Sequence, residues 1–301
     1  MNFVAGVGIA NCDLLYLGMP RIPNEGEEVY ANDLKIKMGG GVPATMVTLS
    51  RLEIPTRLGT FLGNDIFSKV VKSELDRNSV EYVNLYSGKG VPVAVTSAMI
   101  TKNDRTFVSH RDKFDITDEL IESTYQLCRG AKLVEMHVGF LDAYKKLKND
   151  HMTMVLDTGW DDDLSIEKYA DYIEVADYYT PNCNEALKIT GTSRLEDAIN
   201  VLGRYFKYPI IKLNKDGCMV MINGEISIIP PLESVKVVDS TGAGDAFLAG
   251  FLYGLFYDYD ISTSILFGNI TGGVCVSGVG CLTSYVNEKE LLSIANKIKK
   301  L

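Results

Sequence analysis

The sequence predicts an α/β fold: a core built on a mainly parallel sheet, with a small β-sheet lid inserted into it. Short, continuously apolar runs recur along the chain, as strands buried on both faces require. Two other strand groups, within 14–38 and 92–110, alternate apolar and polar residues and read as half-exposed. A third observation is the stretch Asp239-Ser240-Thr241-Gly242-Ala243-Gly244-Asp245-Ala246-Phe247-Leu248-Ala249-Gly250-Phe251. It sets a glycine turn between a predicted strand end (Val235, Val237, Val238) and a helix that is apolar on every side. On this reading the core takes residues 1–10, 39–90 and 112–301, and the lid takes 11–38 and 91–111.

In chain order, Phe3–Gly8 reads as the first buried strand. Its Gly6-x-Gly8 lacks the third glycine of a dinucleotide fingerprint, which argues against an oxidoreductase. Asn11 and Asp13 follow at the strand's C-terminal edge, where open α/β sheets bind ligands; an Asx turn is the alternative. Pro20, Pro23, Asn24 and Gly26 break the chain before a strand over 29–38, with Leu34, Ile36 and Met38 on one side and Lys35 and Lys37 on the other. Gly39-Gly40-Gly41 is a hinge into a helix over 42–52. A buried strand is predicted over 56–62, a helix from 63 to 78 and a strand over 80–85. Strands over 92–100 and 105–110 are joined by a Thr101–Asp104 turn. Thr117 caps a helix to Cys128. A strand over 132–138 is interrupted by Glu135 and His137, and another over 153–157 ends on Asp157. Asp161-Asp162-Asp163 reads as a solvated loop and helix start. A strand over 178–182 leads into Asn182-x-x-Glu185, a capping box that opens a helix. Strands follow over 209–213, 218–222 and 225–229, turned at Asn214–Gly217 and at Asn223-Gly224. A small-residue helix over 261–277 and an amphipathic helix over 288–300 close the chain.

The chemistry concentrates after Val238. Gly242 and Gly244 let the backbone turn sharply and approach a ligand. The helix then starts with N–H groups that lack intrahelical partners and with the positive end of its dipole, an anion hole suited to phosphate. Asp245, in the first turn, is on local chemistry either a cap for those groups or a general base beside the hole.

Composition narrows the partners. The chain has 301 residues, 46% of them apolar and 23% charged, as in an ordinary soluble globular protein. A net charge of −9 argues against nucleic acid or an anionic membrane as the main partner. The six cysteines form no C-x-x-C pair and read as reduced thiols in a cytoplasmic protein. Three histidines without ligand spacing argue against zinc. Met1–Ala10 reads as a strand rather than a signal peptide, and no apolar run is long enough for a membrane span.

D-S-T-G-A-G-D-A-F-x-A-G-F resembles the C-terminal signature of the ribokinase-like (PfkB) carbohydrate kinases, and the likeness runs in order along almost the whole chain. Asn11-Cys12-Asp13 resembles the family's N-x-D, Gly39-Gly40 its glycine pair, Asn182-x-x-Glu185 its N-x-x-E, and Lys212-Leu213 with Gly217 its K/T-L-G-x-x-G loop. The resemblance implies a three-layer α/β/α core with a lid that covers a sugar and, in many members, forms a dimer. It implies Asp245 as catalytic base, with the Gly242, Ala243 and Gly244 amides stabilising the transferring phosphoryl group. It implies sugar binding by Asp13, Asn11, Gly39, Gly40 and Gly41. Substrate contacts from His110, Arg111 and His137 are expected from their positions. Asn182, Glu185, Lys212, Asn214, Gly217 and Asn269 would serve ATP, with Glu185 holding Mg²⁺ through water. With the Val279-Gly280-Cys281 loop, Asp239 and Thr241 could form a monovalent-cation site for K⁺.

Two departures stand out. Asn214 replaces a usual glycine, and Asn tolerates positive φ better than most residues. Gly41, Val42 and Ala44 stand where many members carry polar sugar contacts, which leaves the sugar unnamed. The expected activity is ATP-dependent phosphorylation of a hydroxymethyl group of a sugar or sugar derivative. A nucleoside or vitamin kinase on the same fold and a non-catalytic sugar-binding regulator are the alternatives.

Overall fold

The structure, a computed structural model, describes residues 2–113 and 115–299. Met1, Phe114, Lys300 and Leu301, all within ranges predicted above, lie outside the described residues. The chain runs β1 (Val4–Val7), β2 (Asn11–Met19), β3 (Asp33–Met38), α1 (Val42–Arg51), β4 (Thr56–Thr60), α2 (Ile66–Arg77) and β5 (Glu81–Asn84). Next come β6 (Ala94–Thr101), β7 (Arg105–His110), α3 (Asp118–Cys128), β8 (Leu133–Met136), α4 (Leu141–Asn149), β9 (Thr153–Leu156) and α5 (Ile166–Val175). It ends with β10 (Tyr178–Tyr179), α6 (Cys183–Thr190), α7 (Leu195–Leu202), β11 (Ile210–Lys212), β12 (Cys218–Ile222), β13 (Glu225–Ile229), α8 (Ala243–Phe256), α9 (Ile261–Cys275) and α10 (Glu288–Ile298).

The central sheet has the order β10-β9-β8-β1-β4-β5 and is parallel at every pairing. A parallel bridge between Asn182 and Lys212 carries it on to the antiparallel β11-β12-β13. Alternate residues of one strand feed two different cores. Val4, Leu133 and Val155 pack with α1, α2, α8, α9 and α10, while Ala5, Val7, Val134 and Met154 pack with α3 to α7. Helices on both faces make three layers, and they explain the continuously apolar strands.

A second, four-stranded sheet has the order β3-β2-β6-β7, with β2 and β6 parallel and the outer pairs antiparallel. The chain leaves the core after Val7 and is already in this sheet at Asn11. The edge strand β3 is more open than its alternation predicts. Leu34 and Ile36 are exposed along with the lysines, and only Met38 is buried.

Two differences from the sequence reading concern elements. Val235–Val238 forms no strand: Val237 and Val238 are exposed, and the Val238 and Asp239 amides bond instead to Val276 O at the end of α9. With its Val238 amide taken by the end of a helix, this β-prone run stays irregular. In addition, α4 and α7 appear where no helix was placed. They are 9 and 8 residues long with three buried apolar residues each, such as Ala143, Tyr144 and Leu147 of α4. Helices this short owe their stability to packing on the sheet. Among the described residues, no helix is long and apolar enough to cross a membrane.

Candidate active site

The turn before α8 is shaped by what lies beneath it. Gly242 is the N-cap of α8 with φ 77°. A Cβ there would fall 2.0 Å from Cys281 Cβ, so only glycine fits. The N-cap makes no side-chain cap hydrogen bond. The Ala243 N–H closes a 3.3 Å turn bond to Ser240 O, so of the three expected anion-hole amides this one is already engaged, weakly. Gly244 faces Lys212: a Cβ on it would sit 3.5 Å from the lysine Nζ. An ammonium therefore stands beside the positive end of the helix.

The carboxylate of Asp245 turns away from its own helix. It does not cap α8. It accepts the backbone N–H of Gly41, the N-cap of α1. Its Oδ2 lies so close to Gly40 that a Cβ on that glycine would be 2.4 Å away. On the other side of the glycine run, a Cβ on Gly39 would meet Asn11 Nδ2 at 2.5 Å and Asp13 Oδ2 at 2.9 Å. The three glycines thus form a bare backbone strip between two carboxylates contributed by distant parts of the chain. Gly40→Ala is expected to push Asp245 aside and lower turnover about 10- to 100-fold, with the fold intact by circular dichroism. Unchanged kcat would refute this contact.

Asn11 orients Asp13, its Nδ2 donating to Oδ1 at 2.5 Å. The other oxygen, Asp13 Oδ2, is buried without a protein partner, an arrangement that costs free energy unless a ligand supplies the hydrogen bond. Burial pushes the Asp13 carboxyl up to about 6, against the lowering bond from Asn11 and with help from the Asp239 charge. Burial and the Asp157 charge push Asp245 up to about 6 as well, while Gly41 N–H and Lys212 hold it down.

Sequence reasoning passed over Glu135. It is buried on β8, accepts from Thr45 Oγ1 at 3.2 Å, and leaves Oε2 without a protein partner. Burial and the charges of Asp157 and Asp245 raise its pKa well above the ordinary value. An acidic residue inside an otherwise apolar strand was the available signal. The contact expected at that strand end, His137, is half-buried and is tied through its backbone N–H to the Tyr144 hydroxyl. His110 is exposed and pairs with Asp112 at 3.0 Å, and Arg111 is exposed. The charges that act on Asp245 come from Asp157, Lys212 and Asp13 rather than from these three.

On the nucleotide side, Asn182 and Glu185 form a true capping box on α6. Burial raises Glu185, with Lys212 lowering it and Asp157 raising it. Asn214 adopts φ 56°, so the turn keeps its shape without glycine. Gly217 has φ 88°, and a Cβ on it would lie 2.2 Å from Ile229 O. Asn269 Nδ2 donates to Ile229 O at 3.0 Å and Pro230 O at 2.8 Å, so its amide fixes the chain after β13. Asp239 accepts from Thr241 N, Thr241 Oγ1 and Gly280 N, and also from the guanidinium of Arg105, a residue of β7. The atoms expected to hold a monovalent cation are therefore already paired with a fixed one.

Comparison with known proteins places the family and the fold. The profile of the pfkB family carbohydrate kinases matches residues 1–288. A ribokinase of Lactococcus lactis is 25% identical over 93% of this chain and 92% of its own. The Arabidopsis thaliana ribokinase solved with ribose and ATP superposes with a TM-score of 0.84 at 23% identity, covering 98% of this chain and 99% of its own. A Thermotoga maritima ribokinase does so with a TM-score of 0.81 at 20% identity, covering 98% and 100%. The fold is ribokinase-like, and the chain belongs to the pfkB family of carbohydrate kinases, enzymes that transfer a phosphoryl group to an alcohol.

Proposed function

We propose that this protein transfers the γ-phosphoryl group of ATP to a hydroxymethyl group of a sugar or sugar derivative. The observation that carries the reading is the pair of carboxylates across Gly39–Gly41: Asp13, with a buried oxygen awaiting a hydrogen-bond donor, and Asp245, beside the anion hole. A sugar presents several hydroxyls, enough to meet both carboxylates. In this reading Asp13 and the glycine strip hold the non-reacting hydroxyls, with Asn11 fixing the Asp13 rotamer. Asp245 takes the proton of the primary hydroxyl as its oxygen attacks the γ-phosphorus in line. The turn amides and the Lys212 ammonium face the charge that spreads over the phosphoryl oxygens. The solved Arabidopsis relative, with ribose and ATP, supports the same pair of substrates.

Among the described residues no cluster of three or more His, Cys, Asp or Glu side chains is built to grip a metal unaided. Mg²⁺ keeps most of its waters and binds phosphate oxygens, so Asn182 and Glu185, with few protein ligands beside them, fit that style of binding. When bound, the ion would neutralise phosphate charge.

The second sheet serves in this proposal as the lid over the sugar. The exposed Leu34, Ile36, Phe107 and Val108 on it favour a homodimer through the lid. All six cysteines are free, which favours a reducing, cytoplasmic setting.

ADP release from Mg-ATP across a panel of sugars, sugar acids and nucleosides tests the activity. Sugar-dependent release supports it, and turnover confined to nucleosides refutes the sugar assignment. The pH profile is a second check. Both Asp13 and Asp245 must be ionised to act, and both titrate near 6. The value of kcat/KM is therefore expected to fall as pH drops through about 6. A profile flat down to pH 5 would remove Asp245 from the role of base.

A further inference from the structure

The Arg105 guanidinium reaches from the first residue of β7 to the turn that precedes α8. Its Nη1 donates to Asp239 Oδ1 and, at 3.0 Å, to Thr241 Oγ1; its Nη2 donates to Ser240 Oγ at 2.7 Å. Asp239 is buried, and its remaining bonds tie it into the same node. Oδ1 also takes Thr241 N at 2.9 Å and Thr241 Oγ1 at 2.7 Å, and Oδ2 takes Gly280 N at 2.8 Å. Cys281, next to Gly280, is the residue on which Gly242 rests. One side chain thus joins three segments: the tip of the lid hairpin, the catalytic turn, and the loop beneath that turn. Asp239 is also felt electrostatically by Asp13, so a positive charge here offsets carboxylate charge at the sugar end of the site.

A monovalent metal ion does not fit this node. Every oxygen of Asp239 is already hydrogen-bonded, and an ion at Asp239 Oδ1 and Thr241 Oγ1 would stand against a guanidinium, which is itself a permanent cation with a planar fork of donors. We propose that Arg105 is the built-in cation of the catalytic turn. It replaces a monovalent metal ion and couples the position of the lid to the geometry of the Gly242–Gly244 anion hole. Arg105 is a positioning residue in this account, acting through Asp239 and Thr241, and the coupling to catalysis rests on the kinase reading above. It follows that phosphoryl transfer needs no K⁺, and that withdrawing the lid removes the charge that orders the turn.

The test compares the full chain and its Arg105→Ala variant in potassium, sodium and tetramethylammonium chloride at equal ionic strength. Thermal unfolding is read first, because it does not depend on any substrate. The wild type is expected to unfold at the same temperature in all three salts. The variant is expected to gain a K⁺-specific rise, because the vacated oxygens then accept the ion. With a sugar that the panel identifies, wild-type turnover should stay within about twofold across the salts. Arg105→Ala in tetramethylammonium should lose about 10- to 100-fold, the worth of hydrogen bonds to a charged group, and recover on addition of K⁺ or millimolar guanidinium chloride. If the alanine variant does not fold, Arg105→Gln takes its place.

A K⁺-specific rise in wild-type unfolding temperature or turnover would overturn the proposal. So would a folded Arg105 variant with wild-type turnover in tetramethylammonium. Absence of turnover on every sugar would count against the kinase reading alone, since the unfolding measurements still decide the cation.

Discussion

Asp245→Asn is expected to lower turnover by about three orders of magnitude while nucleotide affinity changes little. The amide keeps the shape of the carboxylate and can still meet the Gly41 region, but it cannot take a proton from the attacking hydroxyl. The same substitution should stabilise the fold at alkaline pH. Burial and Asp157 raise the folded-state pKa of Asp245 from 3.8 to about 6. The folded protein therefore binds this proton more tightly than the unfolded chain does. The stabilising contribution is complete below about pH 4 and is lost as pH rises through about 6. At pH 8 the wild type carries a buried charge that the variant lacks, and the variant should be more stable by about 3 kcal/mol. Below pH 4 the difference should vanish. Steady-state kinetics and thermal unfolding at the two pH values check both parts. A variant with near-normal turnover would remove the base from the mechanism, and one less stable at pH 8 would show that the carboxylate is held by its hydrogen bonds rather than penalised by burial.

Gly242→Ala should be damaging in a different way. The added methyl would need to stand 2.0 Å from Cys281 Cβ while the backbone holds φ 77°. Overpacking and the left-handed conformation together are worth about 2–5 kcal/mol. Part of this loss would appear as a lower unfolding temperature. The rest would appear as a displaced turn and an anion hole out of register, with turnover down at least about 100-fold. Unlike Asp245→Asn, this variant should lose nucleotide affinity and turnover together, since the same amides face the phosphates in the ground state. A well-folded Gly242→Ala protein with wild-type affinity for ATP would mean that the phosphate-binding amides lie elsewhere. Comparing the two variants separates the proton-transfer role of one residue from the backbone geometry set by its neighbour three positions upstream.

Much of the fold was legible because it rests on local or periodic signals. Continuous apolar strands, the Asn223-Gly224 hairpin, the Thr117 cap and the Asn182–Glu185 capping box all follow from chemistry within a few residues, and each appears in the structure. Where a signal was local but its outcome depended on a distant partner, the reading failed. Val235–Val238 has the composition of a strand, but its Val238 amide goes to Val276 O at the end of α9 instead. The short helices α4 and α7 carry only three buried apolar residues each, too few to stand out before the sheet that buries them is in place.

By itself, the sequence determined the α/β architecture, the glycine turn at the head of α8 and the residue types needed for phosphoryl transfer, because these are properties of spacing and of backbone conformation. Only the tertiary structure decided how those groups meet. It turned Asp245 away from its own helix toward Gly41, laid the Gly39–Gly41 strip between Asp13 and Asp245, buried Glu135 beside them, and closed Arg105 onto Asp239 across 134 positions of chain. Each of these depends on charge and packing between segments far apart in sequence, where electrostatic cost is set by burial, and burial is a property that no single segment possesses before the chain has folded.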